Sequence, residues 1–156
     1  MIVRAKPSHD GAVPSANSVS AINLLRLAKL TDDSSLSEKT ETIFRLFLDE
    51  AEQAPFGFPQ MFCALDFYFG DVKEIVVIGD RASSETEDAL NIIYNSYIPN
   101  KVLVFCDPSK APEGIEKVVP LLEGRIKPDD KIQIYICENY VCKSPISDAN
   151  ALKESL

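Results

Sequence analysis

The chain has 156 residues, 46% of them apolar and 26% charged, the composition of one ordinary globular domain or two small ones. Its net charge of −8 excludes a nucleic-acid surface, because holding phosphates needs concentrated Lys and Arg. No apolar run nears the ~20 residues of a membrane span, and the opening Met-Ile-Val-Arg-Ala-Lys-Pro is too polar for a secretory signal, so a cytoplasmic protein without a membrane partner is expected.

The segment from His9 to Ser18 (HDGAVPSANS) reads as a tight turn followed by a helix start. Asp10-Gly11 supplies the turn, Pro14 cannot continue a preceding helix, and the Ser15 hydroxyl can accept from the free amides of the next turn. The pattern predicts a first helix over Ser15–Leu30, a second over Ser37–Ala54 and a short third from Pro59 to Gly70. In the second, Ile43, Phe44, Phe47, Leu48 and Ala51 form one stripe opposite Arg45, Asp49 and Glu52, as on an ordinary surface helix. The first differs: Val19, Ala21, Ile22, Leu24, Leu25, Leu27, Ala28 and Leu30 leave only a narrow polar strip, so it needs cover on several sides. An inner helix of a helical toroid followed by an outer one shows this contrast; the central helix of a small α/β domain is the alternative.

From Asp71 the period changes. Val72–Ile78, Lys101–Phe105 and Lys131–Ile136 are short, rich in β-branched residues and bounded by turn residues, so they read as strands. Helices are expected over Ser84–Tyr97, over about Gly114–Leu122 and after Ser147-Asp148. This alternation implies a small, mostly parallel three-stranded α/β unit behind the helical segment, so the fold class is α plus α/β. Ligands of such sheets bind beyond the strand C-termini, here Gly79-Asp80-Arg81, Cys106-Asp107-Pro108 and Cys137-Glu138-Asn139. The first has a single glycine and neither phosphate-binding fingerprint, and acids rim all three, so no nucleotide or other cofactor is expected.

Of the four cysteines, Cys63 and Cys106 lie in apolar runs and are expected to be buried, reduced thiols, which favours a reducing compartment. Cys137 and Cys142 are five apart, unlike the C-x-x-C of a dithiol active site. A zinc site needs about four ligands; His9 is remote and Cys106 supplies a third at best. Unpaired structural thiols are the default reading, with a redox pair and a metal-responsive site as alternatives. A disulfide would need the chain to turn back, and Glu138-Asn139-Tyr140 offers such a turn. His9 beside Asp10 does not make a proton relay, because neighbours on an extended strand face opposite ways. No carboxylate pair suited to glycoside hydrolysis and no nucleophile elbow is present, so no catalytic or metal-binding residue is assigned.

DGAVPSANS (Asp10–Ser18) and CENYVCKSP (Cys137–Pro145), with EIVVIGD (Glu74–Asp80) between them, resemble the C-terminal region of the thioredoxin-domain-containing family related to spermatogenesis-associated protein 20. The resemblance implies a fragment of a longer protein with a thioredoxin-like domain, a toroid of the six-hairpin glycosidase type and an α/β tail. Residues 1–70 would then be the last hairpins of the toroid and residues 71–156 the tail. It further implies that Asp10, Ser15 and Asn17 face a sugar-sized cavity. The partner is then the remainder of the toroid, or a second copy through the exposed apolar helix, and the ligand is a carbohydrate. The family shares the Cys-x4-Cys-Lys-x-Pro ending, which does not decide among the thiol readings. Two other classes stand beside this one: a redox or metal-responsive module using Cys106, Cys137 and Cys142, and a purely structural assembly segment.

Overall fold

The computed structural model describes residues 6–126, 131–138 and 141–156, which fall into two compact units, Met1–Gly70 and Asp71–Leu156.

In the first unit, α1 (Ala16–Thr31) and α2 (Ser34–Gln53) form a hairpin, and α3 (Pro59–Phe69) packs on α1. Each start has a local cause. Ser15 accepts from the Ser18 amide at 3.1 Å and opens α1, Asp33 accepts from Ser35 at 2.9 Å and opens α2, and Pro59 stands in the first turn of α3. Asp32 takes a left-handed conformation, φ 53°, so the hairpin closes in two residues. The second helix begins three residues before the expected Ser37, because Asp33 is the working cap. A 3-10 turn, Pro55–Gly57, joins α2 to α3.

The core of this unit is Ala21, Ile22, Leu25 and Ala28 of α1, Phe44 and Ala51 of α2, and Met61, Ala64 and Phe67 of α3. Small residues let α1 and α2 approach closely. Buried Thr40 reaches the carbonyls of Leu36 at 3.3 Å and of Ala21 across the hairpin at 3.4 Å. Cys63 corrects the expectation of a buried thiol. The inward face of α3 repeats as Met61, Ala64 and Phe67, which turns Phe62 and Cys63 outward, and Cys63 is exposed.

In the second unit, β1 (Lys73–Ile78), β2 (Lys101–Cys106), β3 (Gln133–Glu138) and β4 (Val141–Cys142) form one sheet in the order β2-β1-β3-β4. The sheet is mixed, which corrects the expected mostly parallel three-stranded unit. Only β1 and β2 pair parallel, joined through α4 (Ser84–Asn95), while β1–β3 and β3–β4 are antiparallel. The reason lies in the connection after β2. A parallel β3 would need a crossover back to the far end of the sheet. Instead β2 ends and β3 begins on either side of Ile78, which is in register with both Cys106 and Gln133. The expected helix over Gly114–Leu122 is likewise two 3-10 turns, Ile115–Lys117 and Pro120–Leu122, because Pro120 has no amide to continue a helix.

Alternating residues divide the sheet's two faces. Ile75, Val77, Ile134 and Ile136 meet Ala89, Leu90 and Ile93 of α4 and Leu152 of α5 (Ala149–Ser155), which Asp148 caps through the Asn150 and Ala151 amides. Val76, Ile78 and Cys106 on the opposite face meet Leu122, with Ile115 and Val119 alongside. Beneath the β1–α4 turn, the buried Thr86 hydroxyl has no hydrogen-bond partner among the described residues and would lie 2.7 Å from a Cβ placed on Gly79. Thr86→Val, nearly the same shape without the unsatisfied hydroxyl, is expected to stabilise the protein by about 1 kcal/mol, read by chemical denaturation. A loss of stability would reveal a partner for the hydroxyl. Among the described residues no helix is long and apolar enough to cross a membrane.

Candidate functional site

Three places bring together the side chains that carry chemistry. The first is the opening turn. Asp10 is buried, and its carboxylate accepts from the amides of Ser15 at 2.7 Å, Gln60 at 2.9 Å and Met61 at 3.3 Å. Gln60 and Met61 lie in the first turn of α3, and Ser15 is the cap of α1. One carboxylate therefore serves the positive ends of two helices. Burial works to raise its pKa, but hydrogen bonds from Ser15, Ser18, Met61 and Gln60 outweigh that and hold the carboxyl below its usual range. Ser15 is equally committed, with its hydroxyl 2.9 Å from that of Ser18 as well as on the Ser18 amide. Asn17 donates to the Pro7 carbonyl at 2.8 Å and remains partly exposed.

The Asp10 amide donates to the Gly57 carbonyl at 2.7 Å, and the His9 ring meets Phe58 edge-on at 5.9 Å. A Cβ on Gly57 would run into the His9 ring, so this close approach requires glycine. His9 thus packs on the 3-10 turn, while Asp10 faces the helix ends.

The second place is the end of β2. Asp107 is buried and accepts from the Ser109 hydroxyl at 2.7 Å, the Ser109 amide at 3.0 Å, Lys110 Nζ at 3.0 Å and the Arg81 amide at 3.4 Å. The Ser109 hydroxyl and the Lys110 ammonium, more than the opposing cost of burial, hold its carboxyl far below the usual range. Next to it, burial and then the Asp107 and Glu116 carboxylates push the Cys106 thiol up, so it stays protonated at neutral pH. Both line a cavity of about 260 Å3 with Val104, Lys110, Ile115 and Leu122. Across the β1 end, Glu85 and Glu87 occupy the first turn of α4, which opposes an anionic ligand there.

The third is the far end of the sheet. Because β3 runs antiparallel, Cys137 pairs with Glu74, while Cys106 pairs with Ile78. Those positions are four residues apart along β1, roughly 13 Å at strand rise. The three strand ends expected to lie side by side in a parallel sheet therefore do not converge, and Cys106 is not gathered with the other two cysteines. Cys137 and Cys142 are direct partners across β3 and β4, with Cα atoms 4.0 Å apart, and form a disulfide. This replaces the default reading of two unpaired thiols; the geometry comes from β4, a two-residue strand. Arg125 Nη2 lies 3.0 Å from Cys142 Sγ and 3.6 Å from Cys137 Sγ. Asn139 and Tyr140, the centre of the expected turn, lie outside the described residues. Among the described residues no group of three His, Cys, Asp or Glu side chains is placed to hold a metal ion.

A two-unit chain with a helical segment and a mixed α/β unit defines an architectural class, and similarity to known proteins narrows it. Spermatogenesis-associated protein 20 of Homo sapiens is 35% identical over 154 residues, which cover 99% of this chain and 20% of that protein. The Rattus norvegicus protein of the same name is 36% identical over 154 residues, with 99% and 19% covered, and that of Mus musculus 34%, with 99% and 19%. The chain is thus homologous, over nearly its whole length, to part of spermatogenesis-associated protein 20, and spans about a fifth of these relatives. No protein-family model matches the chain. No solved structure matches it either.

Proposed function

We propose that the chain serves as an assembly segment of a longer protein. Its three helices pack against further hairpins of a six-hairpin glycosidase-like toroid, in a protein that also carries a thioredoxin-like domain, and the chain is not catalytic alone. The observation behind this reading is the set of large apolar side chains left outside the helical unit. Val19 and Leu27 on one side of α1 are 39% and 47% exposed, Leu46 on α2 is 66% exposed, and Phe56 in the turn before α3 is fully exposed. Single exposed apolar residues are ordinary, but a set spread over one small unit favours a covering partner. The isolated chain is expected to bind an apolar-surface dye, and a dye-silent monomer would overturn the reading.

The family resemblance adds a finer proposal, a contribution to a carbohydrate-related binding site. Asp10 and Ser15 direct their oxygens to their own helix ends, so they act as scaffold, and the partly exposed amide of Asn17 is the group offered to a sugar hydroxyl. Asn17→Ala in the full-length homologue should weaken carbohydrate binding several-fold with little change in melting temperature. A lowered melting temperature with unchanged affinity would leave Asn17 a structural residue.

A further inference from the structure

The Cys137–Cys142 bridge is asymmetric in a way that has chemical consequences. Cys137 is 1% exposed, whereas Cys142 stands exposed on β4, the short edge strand. Arg125 is fixed in place beside both sulfurs. Its Nη1 donates to the Leu121 carbonyl at 2.6 Å, its guanidinium lies 4.9 Å from the centre of the Tyr135 ring, and its Nη2 points at the two sulfurs. A neutral disulfide gains little from a guanidinium. Two thiolates gain much, because an adjacent cation lowers thiol pKa and so improves the leaving group in thiol–disulfide exchange.

We propose that Cys137, Cys142 and Arg125 form a thiol–disulfide exchange site that is reduced by a vicinal dithiol. The dithiol's thiolate attacks the accessible Cys142 Sγ, forming a mixed disulfide and breaking the bond to Cys137. The electron pair leaves on Cys137 Sγ as a thiolate beside Arg125. The second thiol of the reagent, deprotonated, then attacks the reagent's own sulfur in the mixed disulfide and releases the Cys142 thiolate. The reagent departs as its internal disulfide, two electrons have passed to the protein, and the protons lost by the dithiol balance those the two cysteines can take up from solvent. Reduction frees β4 from its covalent tie, while β3 stays anchored through Ile134 and Ile136 in the α4–α5 core.

The test uses the folded chain, opened with dithiothreitol and quenched by alkylation before mass analysis. The exposed Cys142 should become alkylated without denaturant, with the buried Cys137 alkylated once denaturant is added after the dithiothreitol is removed, and Arg125→Gln should slow that reduction by about three- to tenfold. A bridge that opens only in denaturant, or opens equally fast in the Arg125 variant, would overturn the proposal. Two single-cysteine variants keep it testable if Arg125→Gln does not fold. With Cys137→Ser, Cys142 should form a mixed disulfide with oxidised glutathione, whereas with Cys142→Ser the buried Cys137 should not. Equal trapping, or none at Cys142, would contradict the assigned roles. A reduced C-x-x-C protein at micromolar concentration, compared with dithiothreitol at the same concentration, distinguishes the source. Faster reduction by the protein assigns a protein dithiol, and equal rates assign a small one.

Discussion

Asp10→Ala should destabilise the helical unit by roughly 2–4 kcal/mol, the largest effect expected of any single polar substitution in that unit. The loss has a definite source. Removing the carboxylate leaves the amides of Ser15, Gln60 and Met61 without their acceptor, two of them in the first turn of α3. Asp10→Asn should recover part of the loss, since one amide oxygen remains but the charge and the second acceptor are gone. The pH dependence has a fixed sign. The Asp10 carboxyl titrates lower in the folded protein than its ordinary 3.8, so its stabilisation is full above that value and disappears as pH falls through the folded pKa. Denaturation of wild type and Asp10→Ala across pH 2–7 checks this, and the two curves should converge at the acid end. A constant gap down to pH 2 would mean that packing, not charge, sets the effect.

Loss of the Cys137–Cys142 bridge should cost about 2 kcal/mol, the chain-entropy value for a loop this short, given a sequence separation of 5. Cys142→Ser should show that loss in oxidising buffer. In a strong reductant the wild type gives up the same bridge, so the difference between the two proteins should shrink towards zero. An equal difference in both buffers would assign the effect to the side chain instead of the covalent bond. The protein should remain folded in either state, because Ile134, Ile136 and Leu152 stay buried without help from β4.

Much of this structure is legible in local chemistry. Ser15, Asp33, Ser83 and Asp148 open α1, α2, α4 and α5 by the cap each side chain forms with an amide two or three residues on, and Pro59 opens α3. The β1 and β2 strands follow from β-branched runs between turn residues. Strand direction is different: Gln133–Glu138 alternates identically whichever way it runs, so the antiparallel β3 leaves no mark in its residues. What decides it is the stretch after Cys106, where Pro120 breaks the expected crossover helix into 3-10 turns. That one change moves Cys137 to the opposite end of the sheet from Cys106.

The site residues divide in the same way. Ser15 as a cap is a matter of neighbours three residues apart and is readable in place. Asp10 reaches Gln60 and Met61, 50 and 51 residues along the chain, and nothing near Asp10 announces that contact. Arg125 carries no local signal either; it becomes significant only when the β3–β4 pair brings both sulfurs to it. The apolar run around Cys63 suggests burial, whereas helical spacing puts Met61 and Ala64 inward and Cys63 out.

The most direct test of an assembly role is sedimentation velocity of the chain over a hundredfold concentration range, with Val19→Ser/Leu27→Ser/Leu46→Ser measured alongside. The wild type should associate as concentration rises, and the triple variant, with those exposed side chains made polar, should sediment as a monomer throughout. A wild type that stays monomeric across the whole range, indistinguishable from the variant, would contradict it.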